Sequence, residues 1–392
     1  MRKLEPILNM KIALPKEDGT WYEYQIPEQK TFSTSKGPFN RIAYAAAHVV
    51  PKLPSMEEGR AGDGSIIDWD ATIAYRKRLW SFGLGVAEAM DTAQRGMGLS
   101  YENAKELINR SIEASKTVEG AFLASGCGTD QLAPSTNLKL SAVITAYEEQ
   151  IEYVEGLGGK VILMASRALA ACAKSPEDYA VVYDSILSQV KEPVIIHWLG
   201  EMFDPALKGY WGSDDHYEAM DIVNDIMTRH ADKVDGIKVS LLDKDKEIIL
   251  RNKLPKGVRM YTGDDFNYPE LIAGDENGYS DALLGIFDAI APAASAALNE
   301  LTNANEKAYF EIFNPTVPLS RHIFSAPTRF YKTGVVFLAW LNGYQDEFKM
   351  IDGQETARSK AHLSETFRLA CEANALVDID LAFERMNQFL KG

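Results

Sequence analysis

Between residues 42 and 286 the chain keeps one rhythm. Short β-prone runs at 42–49, 85–89, 120–124, 161–165, 193–198, 236–239, 259–262 and 282–286 alternate, for the most part, with longer stretches whose apolar residues recur at helical spacing. Helical period is plain at 70–80, 101–117, 141–156, 177–190 and 215–230. Several of these stretches carry start signals. Ser100 precedes Tyr101-Glu102, and Ser175-Pro176-Glu177-Asp178 puts proline at the first helical position. Eight β–α alternations of this length predict a parallel sheet closed on itself, an α/β fold of the (β/α)8 TIM-barrel type. An open doubly wound sheet is the competitor, but it would favour a glycine-rich phosphate turn after an early strand. The nearest approximation, Gly83-Leu84-Gly85, precedes its strand and fails that context.

The flanks break the rhythm. Runs at 11–15 and 20–26 enclose Lys16-Glu17-Asp18-Gly19, which predicts a hairpin within an N-terminal extension over 1–40. The barrel is expected over 41–300. From 301 to 392 the pattern turns helical, at 308–313, 329–342 and 353–391. A C-terminal helical appendage is expected there, packed on the barrel or serving as a subunit contact.

Composition narrows function more than fold. Net charge is -15, from 41 basic and 56 acidic residues, and such a surface repels phosphate backbones, so no nucleic-acid partner is expected. A hydrophobic share of 46% with 25% charged residues is that of a soluble globular protein. No apolar run reaches spanning length, and residues 1–6 lack an apolar signal core. A membrane partner is therefore not expected. Cys127, Cys172 and Cys371 are far apart and in no metal-binding spacing, which favours free thiols in a cytoplasmic setting.

In a barrel of this kind the reactive groups sit at the C-terminal ends of the strands. Those ends read, in order, His48; Glu88, Asp91, Thr92 and Gln94; Ser125 to Asp130; Ser166 and Arg167; His197; Lys238 and Ser240; and Gly263-Asp264-Asp265. They contain a single lysine. Lys238 lies in Val234-Asp235-Gly236-Ile237-Lys238-Val239-Ser240, and a lysine between Ile237 and Val239 on a buried strand is costly unless it is neutral or paired. On spacing alone, a solvated strand terminus would account for it. A desolvated lysine with a lowered pKa is also what Schiff-base chemistry needs. The set holds no Gly-x-Ser-x-Gly elbow and no tightly spaced His/Asp/Glu group for a divalent metal, so neither a metal nor another cofactor is expected.

Around Lys238 the chain resembles the dihydrodipicolinate synthase / N-acetylneuraminate lyase superfamily, the class I barrel aldolases, in the manner of a divergent, DUF993-like branch. The carriers are Gly236-Ile237-Lys238, Thr262-Gly263-Asp264-Asp265 and the stretch 274–286. Looser matches occur at Ile66-Ile67-Asp68, Leu99-Ser100-Tyr101-Glu102 and Ala124-Ser125-Gly126-Cys127-Gly128. The resemblance implies that Lys238 forms the Schiff base. Two departures matter. Where the family holds a substrate carboxylate with Gly-Thr-Thr-Gly-Glu, this chain has Asp91-Thr92-Ala93-Gln94-Arg95, with one hydroxyl and an acid that would repel a carboxylate. Where the family has Pro-Tyr-Tyr, whose tyrosine shuttles protons, this chain has Met164-Ala165-Ser166-Arg167. Another group must then move the proton. His197, Ser166, Asp264 and Tyr261 are the candidates in that order, histidine first because its unperturbed pKa lies near neutrality.

The expected function is a class I lyase or aldolase that cleaves or dehydrates a polyhydroxylated ketone or keto-sugar acid through an iminium on Lys238. Lys238, His197 and Asp264 are the expected catalytic residues. Glu88, Asp91, Thr92, Ser166, Arg167, Ser240 and Asp265 are expected to bind substrate, and Arg167 to be the cation that lowers the Lys238 pKa. The expected partners are a small carbonyl substrate and further copies of the chain, as a homo-oligomer. Three alternatives stay open: a pyruvate-type 2-keto acid aldolase using Arg95 or Arg167, a metal-dependent sugar isomerase or epimerase built on Glu88, Asp130, His197 and Asp264, and a non-catalytic ligand-binding barrel.

Overall fold

In the computed structural model, which describes residues 10–52 and 66–392, two antiparallel strands precede eight parallel ones. The pair is β1 (Lys11–Pro15) and β2 (Trp21–Gln25). The parallel strands are β3 (Ala43–Ala46), β4 (Gly85–Glu88), β5 (Leu123–Cys127), β6 (Lys160–Leu163), β7 (Val194–Leu199), β8 (Val234–Ser240), β9 (Arg259–Thr262) and β10 (Asp281–Leu284). Each pairs with its neighbour in sequence and β10 returns to β3, so the sheet is a closed barrel. Residues 1–9 of the expected extension lie outside the described residues.

Helix starts follow the local chemistry. The Asp68 side chain accepts the Ala71 N–H at 3.0 Å and caps Trp69–Ser81, and Ser100 caps Tyr101–Ser115. One strand is displaced from its expected place. β5 begins at Leu123 because Gly120, at φ +75°, still belongs to the preceding turn. Ser125-Gly126-Cys127 therefore lies within the strand.

The side-chain period of two sorts each strand into a lumen face and a helix face. On β8, Ile237 and Val239 join the core between barrel and helices, which leaves Gly236, Lys238 and Ser240 toward the lumen. Tyr44, Ile162, Ile195, Tyr261 and Leu283 fill the lumen, and Ala46, Ala87 and Ala124 make room for them.

The C-terminal helices are part of the same core. Every residue of Tyr331–Leu341 is buried, and from Gly334 onward the helix is apolar on all sides, as expected of a buried helix. It packs against the short helix Ile286–Ala289 that follows β10 and against Lys360–Glu372 and Ile379–Lys391. The hairpin is tied to this layer. Tyr24 Oη donates to Glu372 Oε1 at 2.8 Å, and Gln29 Nε2 donates to the Cys371 carbonyl at 3.1 Å. The three cysteines are buried and free. Among the described residues no helix is long and apolar enough to cross a membrane.

Candidate active site

Lys238 is 7% exposed and lines a narrow cavity at the C-terminal end of the barrel. Asp91, Thr92, Ser240 and Asp265 bring its other polar side chains, and Phe203, Phe324 and Tyr331 cover it. The Phe324 and Tyr331 rings stack at 4.3 Å, and Phe203 meets both edge-on. Gly263 ends β9 against the lysine stem. A Cβ there would stand 2.7 Å from the Val239 backbone oxygen and 2.8 Å from Lys238 Cε, so glycine is required where the two strand ends meet.

Burial pushes the Lys238 amine below its usual range, while the carboxylates of Asp265 and Asp91 pull the other way. Burial also lifts Asp265 to about 7, against the pull of the lysine and of two backbone N–H groups, Ile286 (at 2.8 Å) and Gly285. Two buried groups of opposite charge type thus each sit closer to neutrality than they would in water.

A second, larger cavity of about 170 Å3 adjoins the first, sharing Asp91 and Leu199 with it. His197 and Arg167 line it together with the apolar Leu132, Pro134 and Leu207. His197 pairs with Lys238 across β7 and β8. Its Nε2 lies 3.3 Å from Ser240 Oγ, and its Nδ1 has no partner.

Several expected residues are placed elsewhere or differently. Glu88 shares the outward face of β4 with Val86, so its carboxylate meets Arg76 Nε at 2.9 Å and Nη2 at 2.8 Å between barrel and helix, away from the mouth. Asp264 is occupied by its own turn, accepting the N–H groups of Phe266 at 2.8 Å and Asn267 at 3.0 Å and the Asn267 amide at 2.8 Å. Of the two neighbours, Asp265 and not Asp264 lines the Lys238 cavity, together with Asp91. Ser166 Oγ accepts the Leu169 N–H at 2.9 Å and meets Thr129 Oγ1 at 2.6 Å, a helix cap rather than a cavity wall. Arg167 is paired with Asp204 and is not the cause of the lowered lysine pKa. Arg95 is consumed by Asp130, at 2.9 and 2.7 Å. Tyr261 donates to Asp235 at 2.6 Å, near the start of β8. His197 lies within the barrel mouth, but burial holds its pKa well below the usual value, so it is a neutral imidazole and a weak base. Glu88, Asp130, His197 and Asp264 do not converge, and among the described residues no three His, Cys, Asp or Glu side chains are grouped to hold a metal ion.

Tyr331 is the residue that strand-end reading could not reach. It comes from the C-terminal helix, its Oη lies 2.8 Å from Thr92 Oγ1, and burial raises its pKa well above the usual tyrosine value. Its neighbour Lys332 is also buried and pushed down to about 8. One signal was present. Tyr331-Lys332-Thr333 are polar residues at the head of a run, Gly334-Val335-Val336-Phe337-Leu338, that is otherwise fit only for a core.

A family model described as "Protein of unknown function (DUF993)" matches residues 12–392. The chain belongs to that family. No curated protein matches it. Among solved structures, the family's fold here is similar to dihydrodipicolinate synthase from Aquifex aeolicus, at 12% identity and TM-score 0.64 over 86% of this chain and 99% of that one. It is also similar to a putative dihydrodipicolinate synthetase from Pseudomonas aeruginosa, at 16% identity and TM-score 0.61 over 84% and 99%. A third is a prophage protein of the dihydrodipicolinic acid synthase family from E. coli K12, solved in complex with pyruvate, at 12% identity and TM-score 0.62 over 90% and 98%. At such identities the likeness is one of fold, and it agrees with the barrel described above.

Proposed function

We propose that this chain is a class I lyase acting on a polyhydroxylated ketone. The observation that carries the reading is the cavity in which Lys238, buried and with its pKa lowered, lies beside Asp265, with its raised one. The neutral amine adds to the substrate carbonyl, and Asp265 protonates the hydroxyl that leaves as water, giving an iminium. Asp91, at the junction of the two cavities, takes the proton of a β-placed hydroxyl. The C–C bond then breaks, and its electron pair passes to the iminium nitrogen as an enamine. Tyr331, whose buried hydroxyl stays protonated and bonded to Thr92, returns a proton to the enamine carbon and recovers one through Thr92. Water finally hydrolyses the imine and frees Lys238.

A simple 2-keto acid fits the cavity less well. Its acidic side chains, Asp91 and Asp265, outnumber its one cation, Lys238, so a carboxylate beside the reacting carbonyl finds no unpaired cation there. The test is incubation with candidate ketoses and borohydride, followed by peptide mapping. A stable mass gain on the Lys238 peptide, absent in Lys238→Ala and in Lys238→Arg, is expected, because guanidinium stays protonated and forms no iminium. Normal turnover by Lys238→Ala would end the Schiff-base reading.

A further inference from the structure

The larger cavity has no role in iminium formation, yet it is a built pocket. Its wall includes a buried imidazole, 1% exposed, whose Nδ1 finds no partner in the protein. Buried polar atoms in native structures are bonded as a rule, and an exception at a cavity wall points to a group that arrives with a ligand. The other ring nitrogen is held by Ser240 Oγ, and Ser240 itself lines the Lys238 cavity. His197 therefore stands between the two spaces, with Nε2 oriented by Ser240 and Nδ1 buried without a partner. Around it the wall mixes the carboxylate of Asp91 and the guanidinium of Arg167 with the apolar faces of Leu132, Pro134 and Leu207. Polar groups alternating with apolar surface suit a chain of C–H and O–H groups.

We infer that the larger cavity is a second subsite, which takes the hydroxylated fragment on the far side of the scissile bond, and that His197 selects it by a hydrogen bond between Nδ1 and a substrate hydroxyl. Asp91 and Leu199, common to both cavities, mark where the two fragments join. The choice of fragment rests on the lyase reading, but the binding itself does not. His197 is thus a specificity residue, and the proton acceptor of the reaction lies elsewhere.

Five- and six-carbon alditols test this, since they carry the hydroxyls and lack the carbonyl. Their dissociation constants are measured by saturation-transfer NMR on the full chain, as wild type, Lys238→Ala, His197→Phe and His197→Asn. The alditols are expected to bind wild type and Lys238→Ala alike. His197→Phe weakens binding about tenfold, the worth of one hydrogen bond, and His197→Asn recovers part of the loss. Ala165→Leu, which narrows the same cavity from another wall, weakens binding as well and keeps the test alive if the phenylalanine variant does not fold. Alditols that do not bind, or that bind His197→Phe as they bind wild type, overturn the subsite. If alditols behave as stated while no ketose is trapped on Lys238, the subsite stands and the lyase reading falls.

Discussion

Burial drives Lys238 and Asp265 toward their neutral forms, and each pulls the other back toward its charged one. The macroscopic titration belongs to the pair. Replacing Asp265 by Asn removes an anion that favours the ammonium form, so the amine becomes neutral at lower pH. In Asp265→Asn the acid limb of borohydride trapping is expected to move to lower pH, and iminium formation to slow because no acid delivers a proton to the departing water. An unmoved limb would show that the two groups do not share a proton. Glu88 makes a contrasting case. Both it and Arg76 are fully buried, and Glu88→Ala leaves the guanidinium without its partner, so a loss of about 3–5 kcal/mol is expected in urea unfolding. A variant of normal stability with altered ligand selectivity would return Glu88 to the site. Parity explains why the sequence misplaced it. Alternation on β4 tells that Val86 and Glu88 share one face and Ala87 the other, but not which face looks into the barrel.

The elements that build the site differ in how openly they show it. Strands β7, β8 and β9 display their chemistry at their own C-terminal ends, where His197, Lys238 and Gly263-Asp264-Asp265 were legible from the barrel rule. The helix Tyr331–Leu341 follows no such rule. It reads as core, it is core, and its first residue happens to project into the cavity 2.8 Å from Thr92. If Tyr331 is the proton donor, Tyr331→Phe leaves the ring stack on Phe324 in place and removes the hydroxyl alone. Single-turnover kinetics on a cleavable ketose are expected to slow about 100-fold or more, with Lys238 still trapped by borohydride. Equal loss of trapping and turnover would mean that the tyrosine only shapes the cavity.

Stability carries a record of a buried acid remote from the proposed chemistry. Glu247 accepts from Ser280 Oγ at 2.7 Å and Thr262 Oγ1 at 2.9 Å, and burial lifts it from its ordinary 4.5 to about 8. The folded chain holds this proton more tightly than the unfolded chain does. Its contribution is therefore complete below 4.5 and is lost as pH rises through about 8. Glu247→Gln keeps a neutral group there. The Tm difference, variant minus wild type, is expected to climb across that window, and a flat difference would show that Glu247 is already ionised in the fold.

Periodicity reaches as far as local physics reaches. The spacing of apolar residues along eight runs and their intervening helices dictates a closed parallel sheet, because few other arrangements bury all those faces at once. A lysine on a buried strand likewise announces its own cost. What Asp264 and Asp265 each do was not readable, since neighbours in sequence have the same chemistry until the turn after β9 spends one on its own backbone and turns the other toward Lys238. Arg167 looked like the cation beside the lysine until Asp204, 37 residues on, neutralised it. Tyr331 and Thr92 are 239 residues apart, and only packing brings them together. Secondary structure depends on neighbours a few residues away, whereas the charge, burial and hydrogen-bond partners that make a side chain reactive come from segments that meet in the folded barrel alone.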